Sequence, residues 1–250
     1  MIRRLLAVGY GAVAYLLFLA TFGYTVGFLA GAGVPKDIDD GPAGPAWMAL
    51  AVDGALLGLF AVQHSVMARP WFKRAWTRVV PAAVERSTYV LVSSLLILLL
   101  VWQWRPLPAQ VWSVETGWLR AGLWTLYAIG WALVVVSTFA ISHLDFFGLR
   151  QVFAAAYTEP GLREPLLYRL VRHPLLVGFL IAFWAAPDMS VGRLLFAGLS
   201  TGYILVAVRF EEADLRRDLG EPYERYSREV PRFVPRPRSL SARTPSHSTR

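Results

Sequence analysis

Three stretches of this chain run long without a single formal charge: Leu5 to Pro35, Ser87 to Trp104 and Ala121 to Ser142. About 20 apolar residues cover the hydrocarbon core of a bilayer, so each stretch is a predicted membrane span. Hydrophobic residues make up 56% of the 250, and spans are expected near 5–31, 45–67, 87–104, 119–142, 171–187 and 189–209. The first is too long for a cleaved leader and lacks a small-residue cleavage site. The last two are harder to read, because His173 to Pro187 and Leu194 to Val208 hold only 15 uncharged residues each. Either they cross with Arg172 and Arg193 snorkelling to the interfaces, or they form a hairpin that dips in and returns. Pro187 and Asp188 mark the turn between them. The expected fold class is all-α: a polytopic membrane helix bundle of five to six transmembrane helices.

Charge then orients the bundle. Of the 25 Lys and Arg residues, 21 fall at the N-terminus, in the second and fourth loops, and in the tail from Arg209 onward. The other side holds only Lys36, Arg105, Arg120 and Arg193, beside the acidic Asp37, Asp39 and Asp40. Positive charge stays cytoplasmic, so both termini are expected inside. The net charge of +8 is thus accounted for by membrane orientation and gives no reason to expect nucleic acid. Trp102, Trp104, Trp112, Trp118 and Trp124 crowd the third loop as an expected interfacial belt. The Pro-, Ser- and Arg-rich end, 236–250, is expected to be a disordered basic tail beside anionic lipid. With no cysteine in the chain, disulfides, thiolate metal sites and a cysteine nucleophile are excluded.

Two clusters on the predicted inner side carry possible chemistry. The first is Arg172-His173-Pro174-Leu175-Leu176-Val177-Gly178. Its proline suits the first turn of a helix, and its glycine lets a backbone or a ligand approach closely. The second begins with Arg209, Glu211, Glu212 and Asp214 and runs through Gly220, Tyr223, Tyr226, Val230, Pro231 and Arg232. Two adjacent carboxylates at a membrane edge are costly unless solvated or paired. About 100° separates neighbours on a helix, so one can hold a ligand while the other pairs with arginine. His64, His143 and His173 all fall on this face. Three histidines can bind zinc or iron, but no close ligand spacing supports that, and no metal is expected. Charges clustered at one face, with Asp53 the main exception, also argue against a transporter.

Together the two clusters resemble the isoprenylcysteine carboxyl methyltransferase superfamily. Its pattern is Arg-His-Pro-x-Tyr-x-Gly, then a Glu-Glu pair after the last membrane hairpin, then Gly-x-x-Tyr-x-x-Tyr ending in prolines. The matching residues here are Arg172, His173, Pro174 and Gly178, then Glu211 and Glu212, then Gly220, Tyr223 and Tyr226; Leu176 stands where the family has tyrosine. Upstream, Gln63-His64-Ser65, Glu85-Arg86-Ser87-Thr88-Tyr89 and His143-Leu144-Asp145-Phe146-Phe147-Gly148 are similar to the nurim branch, including its bacterial thiol-methylating members.

The resemblance implies S-adenosylmethionine as methyl donor, held by Arg172, His173, Leu175, Gly178, Glu211, Glu212, Tyr223 and Tyr226. It implies a small thiol as acceptor, methanethiol going to dimethyl sulfide, in a bacterial inner membrane. Within 1–235, a single membrane domain, 1–142 would be an N-terminal four-helix part and 143–235 the S-adenosylmethionine-binding part, with a C-terminal cytoplasmic cofactor-binding segment. His143 with Asp145 is the expected base or thiol-orienting pair, with His64 second; Arg86 or Arg150 can instead stabilise a thiolate. Expected partners are the thiol and membrane lipids, with no nucleic acid and no obligate protein. The alternatives are another acceptor on the same fold (a prenylated cysteine carboxylate or a lipid) or a nurim-like membrane protein without catalysis.

Overall fold

The computed structural model describes residues 2–42, 44–153 and 165–235. The expected basic tail 236–250 and Arg163 lie outside the described residues. Five helices are long and apolar enough to cross a membrane: α1 (Ile2–Ala30), α2 (Ala46–Ala68), α4 (Glu85–Gln103), α5 (Gly117–Ile141) and α10 (Val191–Leu219). Their outward faces stay apolar: Leu16, Val62, Leu95 and Phe139 are all exposed, as in a bundle solvated by lipid. This is an integral membrane protein. Short helices α3 (Pro70–Trp76), α6 (His143–Phe146), α7 (Leu149–Phe153) and α8 (Leu166–Leu170) lie at the end of the bundle that carries the tail. There Arg4 donates to the Phe153 carbonyl, and Tyr10 to Thr88 Oγ1. Helix α11 (Glu221–Glu229) follows α10 across Gly220, whose φ of +59° suits a residue without a Cβ.

The sixth apolar segment folds as α9 (Pro174–Trp184), only 11 residues. At 1.5 Å per residue it is about 16 Å long, roughly half of a ~30 Å hydrocarbon core. It nevertheless reaches the far end. The chain continues through Ala185 and Pro187 into strand β2 (Asp188–Ser190), which pairs antiparallel with β1 (Gln110–Ser113) from the α4–α5 connection. Val191 and Gly192 also donate to the carbonyls of Ala109 and Leu107. The turn between the last two segments therefore lies with the third loop, so they cross rather than dip and return.

Polar ties close this loop end. Arg120 grips both oxygens of Asp188, and Arg193 Nε donates to Asp39 Oδ2 at 3.0 Å. Lys36 Nζ donates to the carbonyls of Trp102 and Trp104, which α4 leaves unpaired at its C-terminus. Asp53, fully buried in α2, accepts the Arg105 N–H at 2.9 Å, which gives the isolated acid a structural use. The tryptophans divide: Trp102 and Trp118 are exposed as a belt requires, whereas Trp104 is buried and donates to the Ile38 carbonyl. The Arg120–Asp188 pair leaves about two-fifths of each side chain exposed, and water screens it. Asp188→Asn is therefore expected to cost less than about 1 kcal/mol in thermal unfolding of the detergent-solubilised protein.

The core lies between α1, α5 and α9. Trp131 meets Phe22 and Phe179 edge to face, and Leu175 packs against the same cluster. Helices α5 and α9 cross at Gly130 and Gly178. A Cβ on Gly178 would stand 2.7 Å from the Gly130 carbonyl oxygen, and one on Gly130 would stand 2.7 Å from the Ala182 nitrogen. Small residues let helices in lipid approach this closely and gain packing energy.

Candidate functional site

His173 caps the N-terminus of α9, with Pro174 as its first residue. The cap turns the preceding Arg172 back toward the tail. Arg172 N–H donates to the Pro231 carbonyl at 2.9 Å, and His173 N–H to that of Arg232 at 3.3 Å. Arg172 Nη1 donates to the carbonyls of Ser227 and Val230. One arginine thus binds the end of α11 and the segment that follows it.

Glu212 holds this arrangement from below. It is fully buried, and its Oε1 accepts from Arg172 Nε at 2.9 Å and from Arg232 Nε at 3.1 Å. Its Oε2 accepts from Arg232 Nη2 at 2.6 Å and faces Arg216 Nη2 at 3.4 Å. His173 Nε2 lies 3.2 Å from Oε1. A buried carboxylate this fully paired is a latch between α10, the start of α9 and the tail. Arg232, whose part in it no residue spacing announced, is held above the usual arginine range by its bond to Glu212.

Glu211 is different. It sits half-exposed, its Oε2 3.7 Å from His173 Nδ1. It is also within electrostatic range of the hydroxyls of Tyr89, Tyr168, Tyr203 and Tyr223. The adjacent acids therefore divide in the way helix geometry permits: Glu212 is spent on arginines, and Glu211 stays half-exposed with several tyrosines in electrostatic range.

The two tail tyrosines lie three apart on one face of α11, buried against Leu215 and Leu219. Tyr226 Oη donates to the Tyr168 carbonyl at 2.7 Å, which ties α11 to α8. Tyr223 is almost wholly buried, and its hydroxyl has no hydrogen-bond partner among the described residues. Burial pushes that phenol up to about 12, so it stays a donor at neutral pH with nothing to donate to. Leu175 and Gly178 belong to the α5–α9 packing instead: the close neighbour of Gly178 is the Gly130 backbone.

The three histidines occupy separate settings, and among the described residues no group of three metal-binding side chains forms. His143 Nε2 is 2.7 Å from Tyr15 Oη and Nδ1 is 2.8 Å from Thr138 Oγ1, with the ring stacked on Phe139 at 4.0 Å. Burial holds it below the usual histidine range. Asp145 does not join it; its Oδ2 pairs with Arg150 at 3.2 Å, two residues being too short a helical offset to bring the side chains together. His64 lies where α2 meets α4 and α10. Tyr89 Oη is 2.8 Å from its Nε2, Phe60 stacks on the ring, and Phe60 in turn meets Tyr203. Ser65 donates to Tyr203 Oη at 3.3 Å, and Arg69 to Asp214 at 2.6 Å. His64 is thereby fixed to the helix that carries Glu211. Arg86 lies within electrostatic range of His64 and Tyr89 and donates to the Phe146 carbonyl.

Comparison with known proteins yields a consistent picture. A family model described as NnrU protein matches residues 54–223. The chain is 53% identical to a methanethiol S-methyltransferase of Mycobacterium tuberculosis, over 94% of this chain and 98% of that protein. It is 51% identical to a methanethiol S-methyltransferase of a Pseudomonas species, over 91% and 89%. Human nurim is 33% identical over 67% of this chain and 68% of its own. No solved structure matches.

Proposed function

We propose, from the premise that this chain belongs to the NnrU protein family, that it is an enzyme transferring a methyl group from S-adenosylmethionine to methanethiol, with dimethyl sulfide as product. Relatives at about half identity over nearly the whole chain carry the acceptor assignment. One structural observation supports the donor assignment: half-exposed Glu211 lies beside His173, next to the Glu212 latch.

The residues present fit the donor. It is a cationic molecule rich in amine and hydroxyl groups. Glu211 supplies an anionic acceptor and Tyr223 a buried donor without a partner. Arg172 and Glu212 act indirectly, by holding His173 and the tail in place. When bound, S-adenosylmethionine supplies an electrophilic methyl on a sulfonium. The protein must then align the thiol with it, exclude water and take up the thiol's proton. Alignment can remove several kcal/mol from the barrier, and a positioned base contributes about 10²–10⁴-fold. His64 is the better-placed proton acceptor, because its neighbours tie it to α10. His143 is held instead by Tyr15 and Thr138 and stacked on Phe139, with no such tie to α10 among the described residues, and we assign it to the wall of the bundle. Arg86 favours negative charge developing on the acceptor sulfur. By the 21-to-4 division of basic residues the tail end faces the cytoplasm, and the bacterial relatives support a bacterial inner membrane as the setting.

The reading is tested by incubating the purified full chain with labelled S-adenosylmethionine and a panel of thiols, with headspace detection. Dimethyl sulfide from methanethiol is the expected result; no methyl transfer to any thiol would overturn it. Glu211→Gln is expected to weaken S-adenosylhomocysteine binding at least about tenfold, the scale of one lost charge-assisted contact, while the melting temperature stays within a degree or two of wild type. Unchanged affinity in calorimetry removes Glu211 from the donor site.

A further inference from the structure

A hydrogen-bonded chain around His64 is not used by the donor cradle. Tyr89 Oη lies 2.8 Å from His64 Nε2 and 3.0 Å from Nδ1. Ser93 Oγ lies 3.2 Å from Nδ1 and donates its one proton to Gln63 Oε1 at 3.3 Å. The amide nitrogen of Gln63 is turned to Met67 Sδ, which leaves Oε1 for Ser93. A hydroxyl whose proton is committed can only accept, which favours the His64 tautomer with hydrogen on Nδ1 and the lone pair on Nε2. Tyr89 Oη, which also lies 3.4 Å from the His64 carbonyl, is nearest Nε2 and is placed to donate to that lone pair. A hydroxyl backed by an imidazole, which a third group holds in one tautomer, is the general arrangement for moving a proton off a nucleophile.

Position points the same way. Both His64 nitrogens are covered, Nδ1 by Ser93 and Tyr89 and Nε2 by Tyr89, while Phe60 stacks on the ring. The phenol oxygen lies within electrostatic range of Glu211, Tyr203, Arg86 and Arg69. Among the described residues no charged group bears on His143 in the same way.

We propose that Tyr89 is the catalytic residue that meets the thiol, taking the proton from its sulfur while passing its own phenolic proton to His64 Nε2. This rests on the methyl-transfer reading above. The S–H bond breaks toward Tyr89 Oη and the Tyr89 O–H bond breaks toward His64. The sulfur's freed pair forms the new bond to the methyl carbon, and the pair of the broken methyl–sulfonium bond leaves on the donor's sulfur. Because the two proton shifts run together, neither a free phenolate nor a free thiolate need form. The imidazolium left on His64 returns its proton to water after product departs.

The test compares wild type, Tyr89→Phe and His64→Gln as full-length protein in nanodiscs. Turnover is measured with methanethiol and with the more acidic trifluoroethanethiol, which is already largely ionised under mild alkali and needs little help losing its proton. Tyr89→Phe is expected to lower kcat for methanethiol about 10²-fold, to lower it only a few-fold for the acidic thiol, and to leave S-adenosylhomocysteine affinity within twofold. Nitrogen-15 NMR of labelled histidine should show His64 protonated at Nδ1, with the Nε2 signal shifting in Tyr89→Phe. Equal losses for both thiols mark a packing role and overturn the proposal, as does wild-type turnover in Tyr89→Phe or a proton on Nε2. Wild-type protein that methylates neither thiol overturns the methyl-transfer reading itself, a different result from a variant that matches an active wild type.

Discussion

Replacing Glu212 by alanine is expected to abolish detectable S-adenosylhomocysteine binding and to release the tail. Arg172 is nine-tenths buried and Glu212 wholly so. Removing the carboxylate strands the Arg172 guanidinium inside the protein and leaves Arg232 and Arg216 beside it with no counter-charge. Breaking a buried ion pair from one side costs about 3–5 kcal/mol, far more than the exposed Arg120–Asp188 pair is worth. The loss falls on the strap between Arg172 and residues 227–232, because the arginine that binds those carbonyls is the one Glu212 aims. His173 loses the same anchor, and with it the position of its Nδ1 beside Glu211. Trypsin should then cut at Arg225, Arg228 and Arg232, and calorimetry should find no S-adenosylhomocysteine bound. A tail as resistant as wild type, together with unchanged affinity, would show that Glu212 is not the latch. Glu212→Gln, which keeps the shape without the charge, should fall between.

Gly178→Val is expected to be the other severe change. Its first added carbon would stand 2.7 Å from the Gly130 oxygen and 2.9 Å from the Val134 nitrogen, both backbone atoms that cannot rotate away. Helices α5 and α9 must separate, which gives up their packing along the crossing. Overpacking of this kind costs about 1–3 kcal/mol or more. The functional loss should exceed the stability loss, because His173 caps the helix that is displaced. A fall in turnover of at least about 10²-fold is expected, since small misplacements of positioning groups have effects of that size. Gly178→Ala should lose part of both. Wild-type melting and turnover in Gly178→Val would mean that the crossing tolerates separation and does not set the position of His173.

The motif residues were legible in the sequence, but their division of labour was not. Glu211 and Glu212 are neighbours of identical chemistry, and only the arrival of Arg172 and Arg232 from distant positions tells them apart. Gly178 reads equally as room for a ligand or for a backbone until Gly130 is found against it. Tyr89 and Tyr203 lie in apolar helices, where a lone tyrosine resembles ordinary packing. The polar neighbours of Tyr89, Gln63 and His64 on α2 and Ser93 on α4, were the available signal.

Bilayer embedding follows from the sequence alone, and an expected sidedness of the loops with it, because hydropathy and charge act locally and add along the chain. Whether the last two segments cross was decided by the pairing of β2 with β1, since 15 uncharged residues suit crossing and returning alike. Which acid is latched and which polar groups surround each histidine were decided by tertiary structure for a related reason. A side chain's role here depends on what lies within about 3 Å of it, and those partners come from helices far apart in the chain.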